Sequence, residues 1–399
     1  MSIRYKFDRM EFAGSLGDLG TLLPLAIGMI LINGLKPSGL FFSIGLYYIL
    51  SGIYYGVTVP VQPMKVIAAY AIATAISTSQ IVASGFLMGF ILLILGATGA
   101  ITVIGRYTPK AVVRGVQLST GTLLMAEGIK FMIGISRFQL LRETAEPYLT
   151  IQNLGPIPVG ILMGVVGGVL TLLLLENKKT PAGLIVVIGG IVIGLVLGTH
   201  VGLDKLKIGI NLPKILAFGS PTGTDFVFAL FAMVLPQIPM TVGNAVIAYT
   251  DLSREYFGEN SNKITYKSTC ISMALANFLS FLLGGMPLCH GAGGLAAHYR
   301  FGARTVGSNL IIGLVFVALA TLLGDHALAV VNLIPMSVLG VLLFFAGGQL
   351  GLTVMDIGER KDLFVVLVIL GITLASNLAA GFAVGIFTAY VLRSDKLKV

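Results

Sequence analysis

The chain has 399 residues, of which 56% are hydrophobic and 11% charged, with a mean hydropathy of +0.95. Soluble domains carry about 25% charged residues, so the composition excludes an ordinary soluble domain and makes lipid the main solvent. The net charge of +9 does not point to nucleic acid, because the basic residues are dispersed among apolar segments instead of forming one patch.

Met1 to Glu11 is polar and leads straight into the first apolar run, with no cleavable signal. Fourteen hydrophobic segments follow, at about 12–32, 38–56, 63–76, 80–104, 111–135, 157–175, 181–199, 224–250, 266–284, 290–299, 305–324, 327–346, 361–376 and 378–392. Most match the ~20 residues that cross the hydrocarbon. The third and tenth are too short and read as half-helices, and the last two form a short hairpin. Residues 200–223 divide the set into seven and seven. An odd number per half inverts one half relative to the other. The expected fold is therefore an all-α polytopic membrane protein with fourteen transmembrane segments. These form two inverted repeats, 1–199 and 224–399, with short strands before half-helices 3 and 10.

Orientation follows from Lys and Arg. With the N-terminus inside and strict alternation, Arg4, Lys6, Arg9, Arg106, Lys110, Arg114, Lys178, Lys179, Arg254, Lys263 and Lys267 fall inside. So do Arg300, Arg304, Arg360, Lys361, Arg393, Lys396 and Lys398. Only Lys36, Lys130, Arg137, Arg142, Lys205, Lys207 and Lys214 fall outside, and Lys65 lies within the membrane. That asymmetry puts both termini in the cytoplasm of a multi-pass protein of the cell (inner) membrane.

The two short segments open on matched motifs, Val59-Pro60-Val61-Gln62-Pro63-Met64-Lys65 and Met286-Pro287-Leu288-Cys289-His290-Gly291-Ala292-Gly293-Gly294. Each reads as a Pro-bearing extended stretch followed by the start of an Ala-rich helix. Extended backbone survives at membrane depth only where it is buried in protein or lines a cavity. Paired broken segments in corresponding halves are the best sequence pointer to a transporter's binding site. Pro63 suits a first helical position. Lys65 then lies in the first turn, where a cation is unfavourable and makes sense beside a bound anion; the alternative is an ion pair with Asp18. Gln62 offers an amide to a ligand or caps the helix. The glycines after His290 leave backbone N–H groups bare for an oxyanion. His290 donates to that anion, carries a coupling proton, or is simply packed.

Asp18 either balances Lys65 or takes up a proton during transport. Gln237 and Asn244, seven apart, share a helix face that lines the site or joins helices. Glu127 and Lys130 read as a local ion pair. The two cysteines, Cys270 and Cys289, form neither a disulfide framework nor a metal cluster, and no third group orients Cys289 and His290 for nucleophilic catalysis. No metal or other cofactor is expected. No nucleotide-binding motif appears, so ATP is not the direct energy source.

The stretch Val59–Lys65 resembles the first signature of the molybdate transporter family, and Met286–Arg304 resembles its second. Gly17-Asp18-Leu19-Gly20 and Leu235-Pro236-Gln237-Ile238-Pro239 are similar to its span 1 and span 8 patterns. That family belongs to the sulfate permease (SulP) superfamily. The resemblance covers nearly the whole chain. It implies a core domain of about 12–104 plus 224–324 and a gate domain of about 105–199 plus 325–392, with substrate between half-helices 3 and 10. It also implies molybdate uptake, with protons as the coupling ion.

The reading is a secondary active transporter, not an enzyme, that imports a tetrahedral oxyanion, molybdate, by alternating access. Gln62, Pro63, Lys65, Gln237, His290, Gly291, Ala292 and Gly293 are the expected substrate-binding residues, and Asp18 and His290 the coupling candidates. A sulfate transporter and an anion channel of the same fold are the alternatives. The expected partners are the oxyanion, protons and the lipid bilayer; a homodimer is allowed for, and nucleic acid is not expected.

Overall fold

The computed structural model describes residues 5–101, 103, 107, 109–174, 182–198, 203 and 206–393. Arg4, Arg106, Lys178, Lys179, Lys205, Lys396 and Lys398, and residues 175–181 between two predicted segments, lie outside the described residues. Every predicted segment overlaps a helix. Among the described residues, five helices are long and apolar enough to cross a membrane, or six if one bent pair counts as a span. Lys65–Thr74, Val159–Leu174, Ala182–Val196 and Leu378–Val391 are shorter apolar helices.

Three segments differ from expectation. The first is broken: Arg9–Ser15 and Leu19–Leu31 meet at a 41° bend, with Asp18 in the break. Gly17 sits in the same break, close against Ala297, where an added Cβ would stand 2.8 Å from that carbonyl oxygen. The segment 327–346 resolves into Ala327–Val331 and Met336–Gly351. Pro335 has no N–H for the first helix and caps the second in an extended conformation. The segment 224–250 is continuous helix but not regular. Leu230–Val234 and Thr241–Ala248 are π-helical on either side of Leu235–Met240. Pro236 and Pro239 leave i–4 carbonyls without their donor there, and wider turns absorb the defect.

Close helix packing relies on glycine, as membrane helices require. Helices Lys110–Ile133 and Met336–Gly351 cross so tightly that a Cβ on Gly121 would stand 2.5 Å from the Gly347 oxygen, and one on Gly128 2.5 Å from the Gly340 oxygen. The predicted Glu127–Lys130 pair is present at 3.2 Å.

The two matched motifs meet. Gln62–Pro63 and Leu288–Cys289 form a two-stranded antiparallel sheet, pairing Gln62 with Cys289 and Pro63 with Leu288. Met64 adds a bond from its N–H to the Pro287 carbonyl at 2.9 Å. A lone pair of two-residue strands leaves its outer backbone groups unpaired, which is costly away from water. Two asparagines solve this. Asn309 accepts from the Val59 N–H at 2.9 Å and donates to the Val59 carbonyl at 2.9 Å. Asn277 does the same for Leu288, at 3.1 and 2.7 Å. Each side-chain amide stands in for a missing neighbouring strand.

Candidate functional site

Beyond the strands run two short helices, Lys65–Thr74 and Ala292–Arg300. The first starts two residues later than Pro63, which lies in its strand, with Met64 as N-cap. Gly291 is the N-cap of the second. The two starts are adjacent: a Cβ on Gly291 would fall 2.0 Å from Gln62 Oε1.

A cavity of about 530 Å³ opens beside them. Asp18, Thr21, Lys65, Asn244, Gly293 and Ala297 form one wall, and Gln117, Leu124, Leu342, Phe345, Gln349 and Thr353 form another. Arg300 also reaches the lining. At Gly293 nothing stands within 4 Å of an added Cβ, so the helix start is open to the cavity there.

Lys65 is half-buried on the wall. The ion pairs among the described residues are Lys110 and Arg114 with Asp356, and Lys130 with Glu127. Lys65 and Asp18 are thus not in ion-pair contact, although the Lys65 charge acts on the Asp18 carboxylate through space. The buried Asp18 carboxylate instead accepts a hydrogen bond from Gln62 Nε2 at 2.7 Å. It also stands 2.6 Å from where a Gly294 Cβ would be, at the electropositive start of the Ala292 helix.

Several expected ligands play other parts. Gln237 is buried and does not line the cavity. Its Oε1 accepts from the Val66 and Ile67 N–H groups at 3.0 and 3.3 Å, and its amide donates to Thr241 at 2.9 Å. It caps the Lys65 helix from another segment, taking backbone donors that a ligand was expected to use. Asn244, predicted on the same face, reaches the cavity instead, because it lies in the π-helical turn and the wider turn rotates it away from Gln237.

His290 is fully buried and away from the cavity lining. Its Nδ1 bonds the Pro60 carbonyl at 2.8 Å, which can only accept, so Nδ1 carries the proton. Nε2 then accepts from Tyr47 at 2.8 Å and faces Ser272 at 3.2 Å. Tyr249 stacks on the ring at 5.0 Å. Both ring nitrogens are thus engaged by protein groups, and the ring is packed away from the cavity. Gln62, Pro63, Gly291 and Ala292 back the site without lining it, whereas Lys65, Gly293 and Asp18 reach it. Cys289 is buried, and its thiol points to the Pro63 carbonyl.

Thr21, Gln117, Gln349, Thr353 and Arg300 were not singled out from sequence. Gln117 and Gln349 carry the plainest missed signal, an amide within an otherwise apolar helix. Gln117 accepts from Arg114 at 2.8 Å and from Thr353 at 3.0 Å.

Comparisons with known proteins agree with this architecture. The family described as "Molybdate transporter of MFS superfamily" matches residues 10–124 and 229–350, more than half of the chain. Molybdate transporter 2 of Arabidopsis thaliana is 31% identical, over 96% of this chain and 87% of its own length. Molybdate transporter 1 of the same plant is 30% identical, over 94% and 86%. Molybdate transporter 1 of Chlamydomonas reinhardtii is 28% identical, over 94% and 90%. All three are named as transporters and not as enzymes. Among solved structures, SLC26A9 superposes with a TM-score of 0.67 at 15% identity, over 96% of this chain and 65% of its own. The transmembrane domain of the cyanobacterial bicarbonate transporter BicA gives 0.63 at 15%, over 97% and 98%. The fold is thus that of SLC26A9 and BicA, and the chain belongs to the molybdate transporter family.

Proposed function

We propose that the protein is a secondary active transporter that imports molybdate by alternating access between a core domain, about 12–104 plus 224–324, and a gate domain, about 105–199 plus 325–392. In this reading the fourteen segments are two inverted repeats of seven, the termini are cytoplasmic in the cell membrane, and the family lies with the sulfate permeases.

One observation carries the reading: a half-buried lysine, with no acid in ion-pair contact among the described residues, lines a cavity that also exposes the start of a half-helix at Gly293. A Lys at mid-membrane costs at least ~2.5–3.5 kcal/mol, and a dianion beside it offsets that cost. The Lys65 ammonium and the N–H groups from Ala292 to Gly294 replace the anion's water, while Gln237 and the strand pair hold both helix starts in place. Asn244 and Thr21 add neutral donors on the same wall.

Asp18 gives the site its coupling. A dianion entering a negative interior climbs ~2.3 kcal/mol per charge per 100 mV, so accumulation requires cotransported cations. A dianion at Gly293 also meets the like charge of Asp18 next to Gly294. Protonation of Asp18 removes that repulsion, so proton and anion bind together. His290, enclosed and hydrogen-bonded at both nitrogens, has no such part.

Sulfate has the same charge and shape and a smaller size, and is the alternative substrate. The test is equilibrium binding of molybdate to purified protein in competition with tungstate and sulfate. Tungstate should displace molybdate at similar concentrations and sulfate only at much higher ones. Equal displacement by sulfate would make this a general dianion transporter.

A further inference from the structure

A second cavity, of about 550 Å³, lies on the outer face of the bundle, between the helices Pro37–Tyr55 and Tyr266–Leu283. It is separate from the anion cavity and lies within the ~300–1,000 Å³ of small-ligand sites. Leu46, Leu50, Ile271, Leu275 and Leu279 make its sides apolar. Leu50 and Leu275 are 54% and 61% exposed, so the groove opens to the surroundings of the protein, which in a membrane is lipid.

Its two ends are unlike. One is closed by Leu279 and the other by Lys267. Lys267 is exposed and has no ion-pair partner among the described residues. Lys263 lies at the same end. Its ammonium donates to the Tyr54 carbonyl at 3.0 Å and stands 5.5 Å over the Tyr54 ring. Among the described residues, no acidic side chain lines the groove. Asp251, which accepts from neighbouring Tyr266 at 3.2 Å, is outside it. From Lys267 to Leu279 the helix rises ~18 Å, close to half of the ~30 Å hydrocarbon. The groove is therefore one leaflet deep, with positive charge at its polar end.

We propose that this groove holds one acyl chain of an anionic glycerophospholipid, with the headgroup phosphate on Lys267 and Lys263. Depth, apolar walls and a paired-ammonium rim match that molecule, and a zwitterionic lipid leaves the rim charge uncompensated. The floor adds a connection to the core. Tyr47 and Ser272 line the groove, and both hydroxyls meet His290 Nε2, whose other nitrogen holds the Pro60 carbonyl just before the first strand. A seated chain buttresses the wall on which that strand depends.

The experiment uses the full chain in nanodiscs of phosphatidylcholine containing a minor fraction of phosphatidylglycerol with a photoactivatable group on its acyl chain. Crosslinked peptides are mapped by mass spectrometry. The proposal expects crosslinks concentrated in 46–54 and 267–279, at least several-fold above those in the exposed helix Val159–Leu174. Even labelling of all lipid-facing helices would overturn it. In a parallel measurement, native mass spectrometry should show phosphatidylglycerol retained over phosphatidylcholine by the wild type, and that preference lost in Lys263→Ala/Lys267→Ala. Retention of the preference in a folded double variant refutes the headgroup assignment. The crosslink map on wild-type protein decides the matter if the double variant does not fold.

Discussion

Replacing Lys65 by methionine separates binding from folding more cleanly than any other change at the site. The Lys65 ammonium makes no side-chain hydrogen bond or close ion pair among the described residues, so the substitution breaks no direct contact and removes only its through-space attraction to the Asp18 carboxylate. Methionine keeps the unbranched stem at similar volume and removes a charge that costs at least ~2.5–3.5 kcal/mol at mid-membrane. The thermal midpoint of the detergent-solubilised protein without molybdate should stay the same or rise. Binding should behave oppositely. A hydrogen bond to a charged group contributes about 1.5–3 kcal/mol, so losing the ammonium weakens molybdate affinity by roughly tenfold to more than a hundredfold. Scintillation proximity with radioactive molybdate on monodisperse protein reads the affinity, and differential scanning fluorimetry reads the midpoint. Affinity within about twofold of wild type, less than ~0.5 kcal/mol, would show that the ammonium does not touch the anion. A large drop in midpoint without ligand would show that Lys65 is a structural group.

Asp18→Asn keeps the acceptor for Gln62 and removes the titratable charge, so molybdate binding should persist while accumulation in proteoliposomes loses its response to an imposed pH gradient; an undiminished response removes Asp18 as the coupling group. Asn309→Ala leaves the Val59 N–H and carbonyl without a partner, at about 1–3 kcal/mol each, and should lower the thermal midpoint clearly more than Gln349→Ala on the open cavity wall; equal midpoints would contradict the clamp. Gln237→Leu strips the Val66 and Ile67 N–H groups of their acceptor, so it should lower both stability and molybdate affinity; full stability would mean that water caps this helix equally well. Gly294→Val forces a Cβ to within 2.6 Å of Asp18 Oδ2 and 2.7 Å of Gln62 Nε2 and should yield little folded protein; normal expression and binding would contradict the packing of Asp18 against the half-helix.

The hydropathy of the chain revealed its helices, because each apolar run is local and about one bilayer long. The meeting of Val59–Lys65 with Met286–Gly294 was also legible, since Pro-rich extended stretches inside apolar sequence need a partner and each supplied the other's. Side-chain direction was not. Gln237 and Asn244 look equivalent at a spacing of seven, and only the π-helical turn after Pro239, which spacing does not encode, sends one to the Lys65 helix and the other to the cavity. His290 looked exposed to ligand because it precedes a Gly-rich helix start; the strand register turns its ring inward toward Pro60, Tyr47 and Tyr249. Asn277 and Asn309 passed unnoticed because a single amide in an apolar helix does not announce which distant backbone it pairs.

The central claim is that molybdate binds in the cavity beside Lys65 and the start of the Ala292 helix. Molybdenum scatters anomalously, so an anomalous difference map from data collected at its absorption edge, on crystals grown with molybdate, identifies the ion by element and places it relative to the protein. The account predicts one strong peak in the cavity, within hydrogen-bond reach of Lys65 Nζ and the Gly293 N–H. A peak elsewhere in the protein, or none there at saturating molybdate, would contradict it.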